Sequence, residues 1–297
     1  MTDPQVPTAP PETPMTRRAA RAAATAGPAR PAPRAGRNLP AAVAVGVGLI
    51  LLILASLVFW PPAFVWLVTA AAVVGVWELD DALRSGRIDP PLPPVLASTA
   101  LVPLAYYGGP DALAAGFAAS AALVLLWRSV GPCDGAARDI AGGVFIVAYV
   151  PLLAAIASLM LAQDDGAWRI LTFILVTVAS DTGGYAVGVL LGRTPMSPSL
   201  SPKKSWEGFA GSVGTSALVG VLCVGLLLDG PWWAGAVVGA VAATFATVGD
   251  LAESAIKRDL GIKDMGTILP GHGGVMDRLD SLLVTVPVCW ALLHIFV

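Results

Sequence analysis

Residues 250–281 read DLAESAIKRDLGIKDMGTILPGHGGVMDRLDS, and apolar sequence encloses them on both sides. The run AVVGAVAATFATVG (236–249) leads in, and SLLVTVPVCWALLHIFV (281–297) leads out. Within the stretch, carboxylates are interleaved with Lys257, Arg258, Lys263 and Arg278, and His272 is one of only 2 histidines in the chain. Only 13% of the 297 residues are charged, against about 25% in a soluble domain, and the mean hydropathy is +0.75. A bilayer-length apolar run, a charged segment and a second apolar run together predict a polytopic membrane protein. Charge this dense at a membrane boundary is expensive unless it binds something. The stretch is therefore read as a candidate catalytic site, and the remainder as its membrane housing.

Working outward, nine apolar segments are expected at 41–60, 63–80, 95–108, 112–128, 140–162, 168–191, 208–228, 232–253 and 281–297. The predicted class is all-α, with about nine transmembrane helices and a cytoplasmic N-terminus. With spans alternating from that side, 17 of the 18 Lys and Arg residues fall on the cytoplasmic side and only Arg169 falls outside. That asymmetry follows the positive-inside rule. It also places the 250–281 stretch where nucleotides are. Three regions are expected: a Pro/Arg-rich tail (1–38), N-terminal transmembrane helices (39–139) and a C-terminal transmembrane catalytic region (140–297). The tail has too few large apolar side chains to order itself. Its arginines suit either an anionic leaflet or a solvated segment that helps to set topology. No cleaved signal peptide is expected, because the charged lead is too long and a full span follows it. Cys133, Cys223 and Cys289 are far apart, which suggests neither a disulfide framework nor a zinc site.

Asp250, Glu253, Ser254 and Lys257 fall at i, i+3, i+4 and i+7, one face of a helix. They read either as a salt-bridged helix end, with Lys257 pairing Glu253, or as acids poised for a cation. Asp277, Asp280 and Ser281 open the last span, where carboxylates complement a helix dipole. Two helices presenting Asp250 with Asp277 and Asp280 also suit a hard cation, since Mg²⁺ favours one or two carboxylates plus phosphate oxygens. The loop KDMGTILPGHGG (263–274) contributes Lys263, Asp264, His272, Gly273 and Gly274. Its glycines allow a backbone to approach phosphate closely, although no Walker A pattern occurs. Upstream, SDTGGYAVGVLLG (180–192) puts Asp181 inside a span, where an acid must pair or line a cavity. Its Gly184, Gly188 and Gly192 predict close packing of another helix. The segment SPSLSPKKSWEG (197–208) offers Lys203, Lys204 and Ser205 to an anionic headgroup or a triphosphate. The chemistry that fits these groups is phosphoryl or nucleotidyl transfer.

The stretch SAIKRDLGIKDMGTILPGHGGVMDRLD (254–280) resembles the signature of the phosphatidate cytidylyltransferase (CDP-diacylglycerol synthase) family, bacterial type. SDTGGYAVG and SPKKSWEG are similar to two blocks that precede it, with Ser205 where Thr is common. The resemblance covers roughly residues 140–297, and the earlier spans only by hydropathy. It implies transfer of the cytidylyl group of CTP to phosphatidate, giving CDP-diacylglycerol and pyrophosphate for phospholipid synthesis. It also implies an all-helical fold in the plasma membrane with the active site facing the cytoplasm. Mg²⁺ dependence, with a second cation left open, and a dimer among membrane lipids belong to the same expectation. No nucleic-acid partner is expected. Carried over by position, Asp250 and Asp277 bind metal, with Asp280 and Asp181 as further candidates. Ser254, Lys257, Arg258 and Arg278 are placed in catalysis. Lys203, Lys204, Ser205, Lys263, Asp264, His272, Gly273 and Gly274 are placed around the substrates. Two other functions are weighed beside this one: an ion-coupled transporter and a CTP-dependent lipid kinase.

Overall fold

The computed structural model describes residues 39–266, 268 and 273–297. The expected tail and His272 lie outside the described residues. Helices α1 (Leu39–Phe59) and α2 (Pro61–Ser85) are followed by a short α3 (Leu92–Ala97), which continues through a 3₁₀ turn into α4 (Leu101–Ser129). Next come α5 (Ala136–Val147), a π turn at Ala148–Leu152 that absorbs Pro151, and α6 (Leu153–Leu161). A ring without an N–H donor breaks the regular ladder, which is the usual cause of such a turn. Helix α7 (Gly166–Leu191) leads to strands β1 (Pro195–Ser197) and β2 (Ser201–Ser205), then α8 (Trp206–Leu227), α9 (Trp232–Asp259) and α10 (Met276–Phe296). The antiparallel β1–β2 hairpin amends the all-α expectation. It is a small addition to a chain that is otherwise helical.

Among the described residues, seven helices are long and apolar enough to cross a membrane, where nine spans were expected. Two observations account for the difference. The expected segments 95–108 and 112–128 lie inside one helical stretch, Leu92–Ser129, and the described apolar part of α1, Gly46–Phe59, is shorter than a span. The Leu92–Ser129 stretch is not straight. Gly109 has φ 73 and ψ −168, values open to glycine, and Pro110 follows it. A Cβ built on Gly116 would lie 2.5 Å from Leu104 Cδ2 and 2.8 Å from Leu101 Cδ2. The two arms therefore double back against each other.

Polar contacts bring the helix ends to two faces. On one, Arg128 Nε donates to Asp139 Oδ2 at 2.9 Å, while Asp139 Oδ1 accepts from the Asp89 backbone N–H at 2.8 Å. That unites the end of α2, the end of α4 and the start of α5. Arg84 adds contacts to Asp80 and Asp89 in the same place. On the opposite face, Arg169 Nε bonds Asp165 Oδ1 at 2.6 Å and its Nη1 donates to the Leu293 carbonyl at 2.8 Å. A guanidinium there adds a second donor to a carbonyl in the last turn of α10, which also accepts from the Val297 N–H at 3.1 Å.

The C-terminal helices α7, α8 and α9 pack backbone to backbone. Cβ atoms on Gly220, Gly235 and Gly239 would collide with main-chain atoms across the α8–α9 contact. Gly184 and Gly188 lie against Ser212 and Gly208 of α8, as the four-residue spacing predicted. Ser212, Thr215 and Ser216 then donate to carbonyls of Ser180, Ala179 and Val176, so the hydroxyls buried by this close contact are satisfied.

Candidate active site

Helix α9 runs to Asp259, beyond the expected edge at 253, and α10 begins at Met276, before the expected 281. Both extensions add polar turns to apolar spans, and those turns carry the site. Small residues bring α9 and α10 together there. A Cβ on Gly249 would sit 2.7 Å from the Asp280 carbonyl and 3.2 Å from Ser281 Cα, so only glycine fits. As a result the carboxyl group of Asp280 lies beside those of Asp250 and Glu253.

Cations thread this acidic group. Lys257 Nζ is 2.9 Å from Glu253 Oε2 and 2.9 Å from Asp277 Oδ1, joining α9 to α10. The Glu253 partnership is the i, i+4 pair that the spacing suggested; the Asp277 contact is its cross-helix counterpart. Lys204 Nζ reaches Asp250 Oδ2 from β2 at 2.6 Å. Asp277 also accepts from the backbone N–H groups of Met265 (3.1 Å to Oδ2) and Gly274 (2.9 Å), which ties both ends of the 265–274 loop to the start of α10.

A cavity of 390 Å³ is lined by Asp181, Lys204, Asp250, Glu253, Ser254, Lys257, Asp277, Arg278, Asp280 and Ser281. Eight of the residues singled out from the 250–281 stretch thus converge with Asp181 and Lys204, contributed by α7 and β2. An adjoining cavity of 300 Å³ shares Asp181, Lys204 and Asp250 and adds Lys203, Ser205, Tyr185 and Phe209. Ser205 has a second task, since its Oγ accepts from Gly208 N at 3.1 Å and caps α8. Arg258, Lys263 and Asp264 are exposed and line neither cavity. Gly273 has φ +83 and sits beside the Asp277 carboxylate, while the buried Gly274 donates to it. Arg278 lines the polar cavity and also the edge of a third, apolar cavity of 380 Å³ between α1, α2, α6, α7 and α10.

Two contributors escaped the sequence reading. Glu253 was grouped with Asp250 but given no site role; it is 1% exposed, lines the cavity, and its Oε1 has no hydrogen-bond donor among the described residues. Glu78, equally buried at 1%, reaches the loop from α2. An acid within the apolar stretch VVGVWELDD (73–81) was the same kind of signal that had drawn attention to Asp250.

An acid-lined, lysine-threaded cavity at one face of a helical bundle, built around a loop with the 254–280 pattern, invites comparison with known proteins. The sequence model of the Cytidylyltransferase family matches residues 40–296. The chain belongs to the cytidylyltransferase family. Relatives named phosphatidate cytidylyltransferase include one from Mycobacterium leprae, 41% identical over 278 residues, which covers 88% of this chain and 89% of that protein. One from Mycobacterium bovis is 38% identical over 274 residues, 88% of this chain and 90% of its own length. One from Helicobacter pylori is 44% identical over a shorter 129 residues, 41% of this chain. The family match begins at residue 40, so it takes in the N-terminal helices that the motif resemblance had reached only by hydropathy.

The residues of this cytidylyltransferase-family chain were also weighed against a divalent cation. Among the described residues, no group of three or more His, Cys, Asp or Glu side chains forms a ready-made metal cage. Mg²⁺ does not require one, because it is usually held by one or two carboxylates completed by water and substrate phosphate. The buried Glu253 Oε1, which has no donor among the described residues and lies beside Asp280, is hard-oxygen capacity of that kind. Asp277 is already occupied by Lys257 and two backbone amides, so the Asp250–Asp280 side fits the ion better.

Proposed function

We propose that this protein transfers the cytidylyl group of CTP to phosphatidate, forming CDP-diacylglycerol and pyrophosphate. The observation that carries this reading is one cavity collecting five carboxylates and Lys204, Lys257 and Arg278 from four separate segments of a membrane-embedded chain. A phosphate oxygen of phosphatidate attacks the α-phosphorus of CTP. The new O–P bond forms as the bond to the β-phosphate bridging oxygen breaks, and pyrophosphate carries away the charge. The phosphatidate phosphate is already ionised at neutral pH, so no strong general base is needed, and His272 is not assigned as one. The difficulty is bringing two polyanions together. Lys204, Lys257 and Arg278 offset that repulsion, and the close α9–α10 contact holds Lys257 and Arg278 in register. Bound Mg²⁺, held by Asp250 and Asp280 with Glu253 close by, would neutralise phosphate charge.

The finer reading is that nine crossings are made, with the doubled-back Leu92–Ser129 stretch as two of them and α1 as the first. This is supported by the Arg128–Asp139–Asp89 contacts, which put both ends of that stretch at one face. The positive-inside asymmetry supports a cytoplasmic N-terminus and site, in the plasma membrane. In this picture phosphatidate arrives laterally from the cytoplasmic leaflet. The apolar cavity beside Arg278 is shaped to take an acyl chain while the headgroup meets the polar cavity. CTP arrives from water. Assembly as a dimer remains part of the proposal. The deciding experiment supplies purified protein with labelled CTP and phosphatidate and follows CDP-diacylglycerol. Phosphorylated lipid without a CDP-lipid product would mean a kinase, and no nucleotide consumption at all would sink the reading.

A further inference from the structure

Glu78 lies on α2, 198 residues before the residue it touches, and outside the region that carries the family motif. Its carboxylate is 1% exposed. A buried acid in a membrane-spanning helix is expensive and persists where it has a task. Glu78 Oε2 accepts from the backbone N–H of Met276 at 2.8 Å. Met276 is the first residue of α10, and that amide is one of the N-terminal donors a helix cannot satisfy by itself. A carboxylate there also complements the positive end of the helix dipole.

The same carboxylate is moulded into the loop. A Cβ on Gly274 would lie 2.6 Å from Glu78 Oε2, and one on Gly266 would overlap Oε1, Cδ and Cγ of Glu78. Gly266 and Gly274 are thus the two walls of a slot that Glu78 fills. Asp277 binds the amides of Met265 and Gly274, neighbours of the slot on either side. The loop is held at its base by two carboxylates from two helices, and one of them also receives Lys257.

We propose that Glu78 is a positioning residue for the nucleotide. By filling the Gly266–Gly274 slot and holding the start of α10, it keeps Asp277, Lys257 and the amides of Met265 and Gly274 in their CTP-binding arrangement. The N-terminal helices thereby take part in substrate recognition as well as in membrane anchoring. The inference rests on the cytidylyl-transfer reading, so the test includes one readout independent of activity.

The experiment compares Glu78→Ala, Glu78→Asp and Glu78→Gln with wild type in mixed micelles, measuring kcat and KM for CTP and for phosphatidate separately. Removing the acceptor (Ala) or drawing it back by one methylene (Asp) should raise KM for CTP about tenfold or more, with KM for phosphatidate within about twofold. Gln retains an acceptor oxygen of the same reach and should recover most of the loss. Gly266→Ala should be impaired alone but add little to Glu78→Ala, because the atoms it strikes are then gone. Hydrogen exchange should show the 263–276 segment opening in Glu78→Ala while the α8–α9 contact stays protected. If Ala does not accumulate as folded protein, the Asp variant decides. Unchanged KM for CTP with unchanged exchange, strict additivity with Gly266→Ala, or Gln as impaired as Ala would overturn the proposal. If wild-type protein forms no CDP-lipid, yet Glu78→Ala still shows the exchange change, the reaction reading is overturned and the positioning role stands.

Discussion

Lys204 Nζ, carried on β2, lies 2.6 Å from Asp250 Oδ2 on α9. The contact makes a two-stranded hairpin part of the wall between the two polar cavities, both of which Lys204 and Asp250 line. Replacing Lys204 with Ala leaves Asp250 without its cation and removes a positive charge from the path of two anionic substrates. Activity should fall about 10²-fold, the usual consequence of losing one preorganised charge contact. Lys204→Arg should retain more activity than Lys204→Ala, as measured by CDP-lipid formation at saturating CTP.

Asp277 serves Lys257 and two loop amides at once. Asp277→Asn keeps the shape but loses the charge, and its amide nitrogen cannot accept from Met265 or Gly274. A loss of about 10²-fold or more in kcat/KM is expected, with unchanged expression in the membrane fraction. Full activity in this variant would remove Asp277 from the site.

Gly249 admits no side chain where α9 meets the Asp280 carbonyl. Gly249→Val should destabilise the protein by about 1–3 kcal/mol through overpacking and separate Asp250 from Asp280. Both effects are measurable, as a lowered unfolding temperature in detergent and as a raised Mg²⁺ requirement.

Metal removal gives a further check. Chelation should abolish turnover, and added Mg²⁺ should restore it. Asp280→Asn should need more Mg²⁺ to reach half-maximal rate, while its KM for phosphatidate stays close to wild type. An unchanged Mg²⁺ requirement would place the ion elsewhere.

Ala157 lines the apolar cavity beside Arg278 and is 6% exposed. Ala157→Phe fills part of that space. Turnover of long-chain phosphatidate should drop about tenfold relative to a short-chain analogue. An unchanged chain-length profile in well-folded protein would argue that the acyl chain lies elsewhere.

The sequence read most clearly where local pattern and chemistry coincide. The i, i+3, i+4, i+7 face of α9 and the acids opening α10 needed only helical periodicity, and the glycine spacing of α7 needed only helix packing. Long-range relationships were harder to see. Glu78 meets Met276 across 198 residues, and no local signal pairs them. The span edges at 253 and 281 were set beside the charges, because hydropathy fades where polarity begins; the helices continue through their polar turns. Gly109–Pro110 read as a loop between two spans, which suits the reversal, yet the helical stretch runs almost unbroken through it. Arg258, Lys263 and Asp264 came with the motif, but their exposure places them outside the cavities.

Helix α10 is fastened at both faces of the bundle, by Glu78 at its first amide and by Arg169 at the Leu293 carbonyl. A rod clamped at both ends can neither slide nor tilt without breaking one clamp. It therefore serves as the fixed jaw of the site. The β1–β2 hairpin lines the other side of the cavity, where Lys204 meets Asp250.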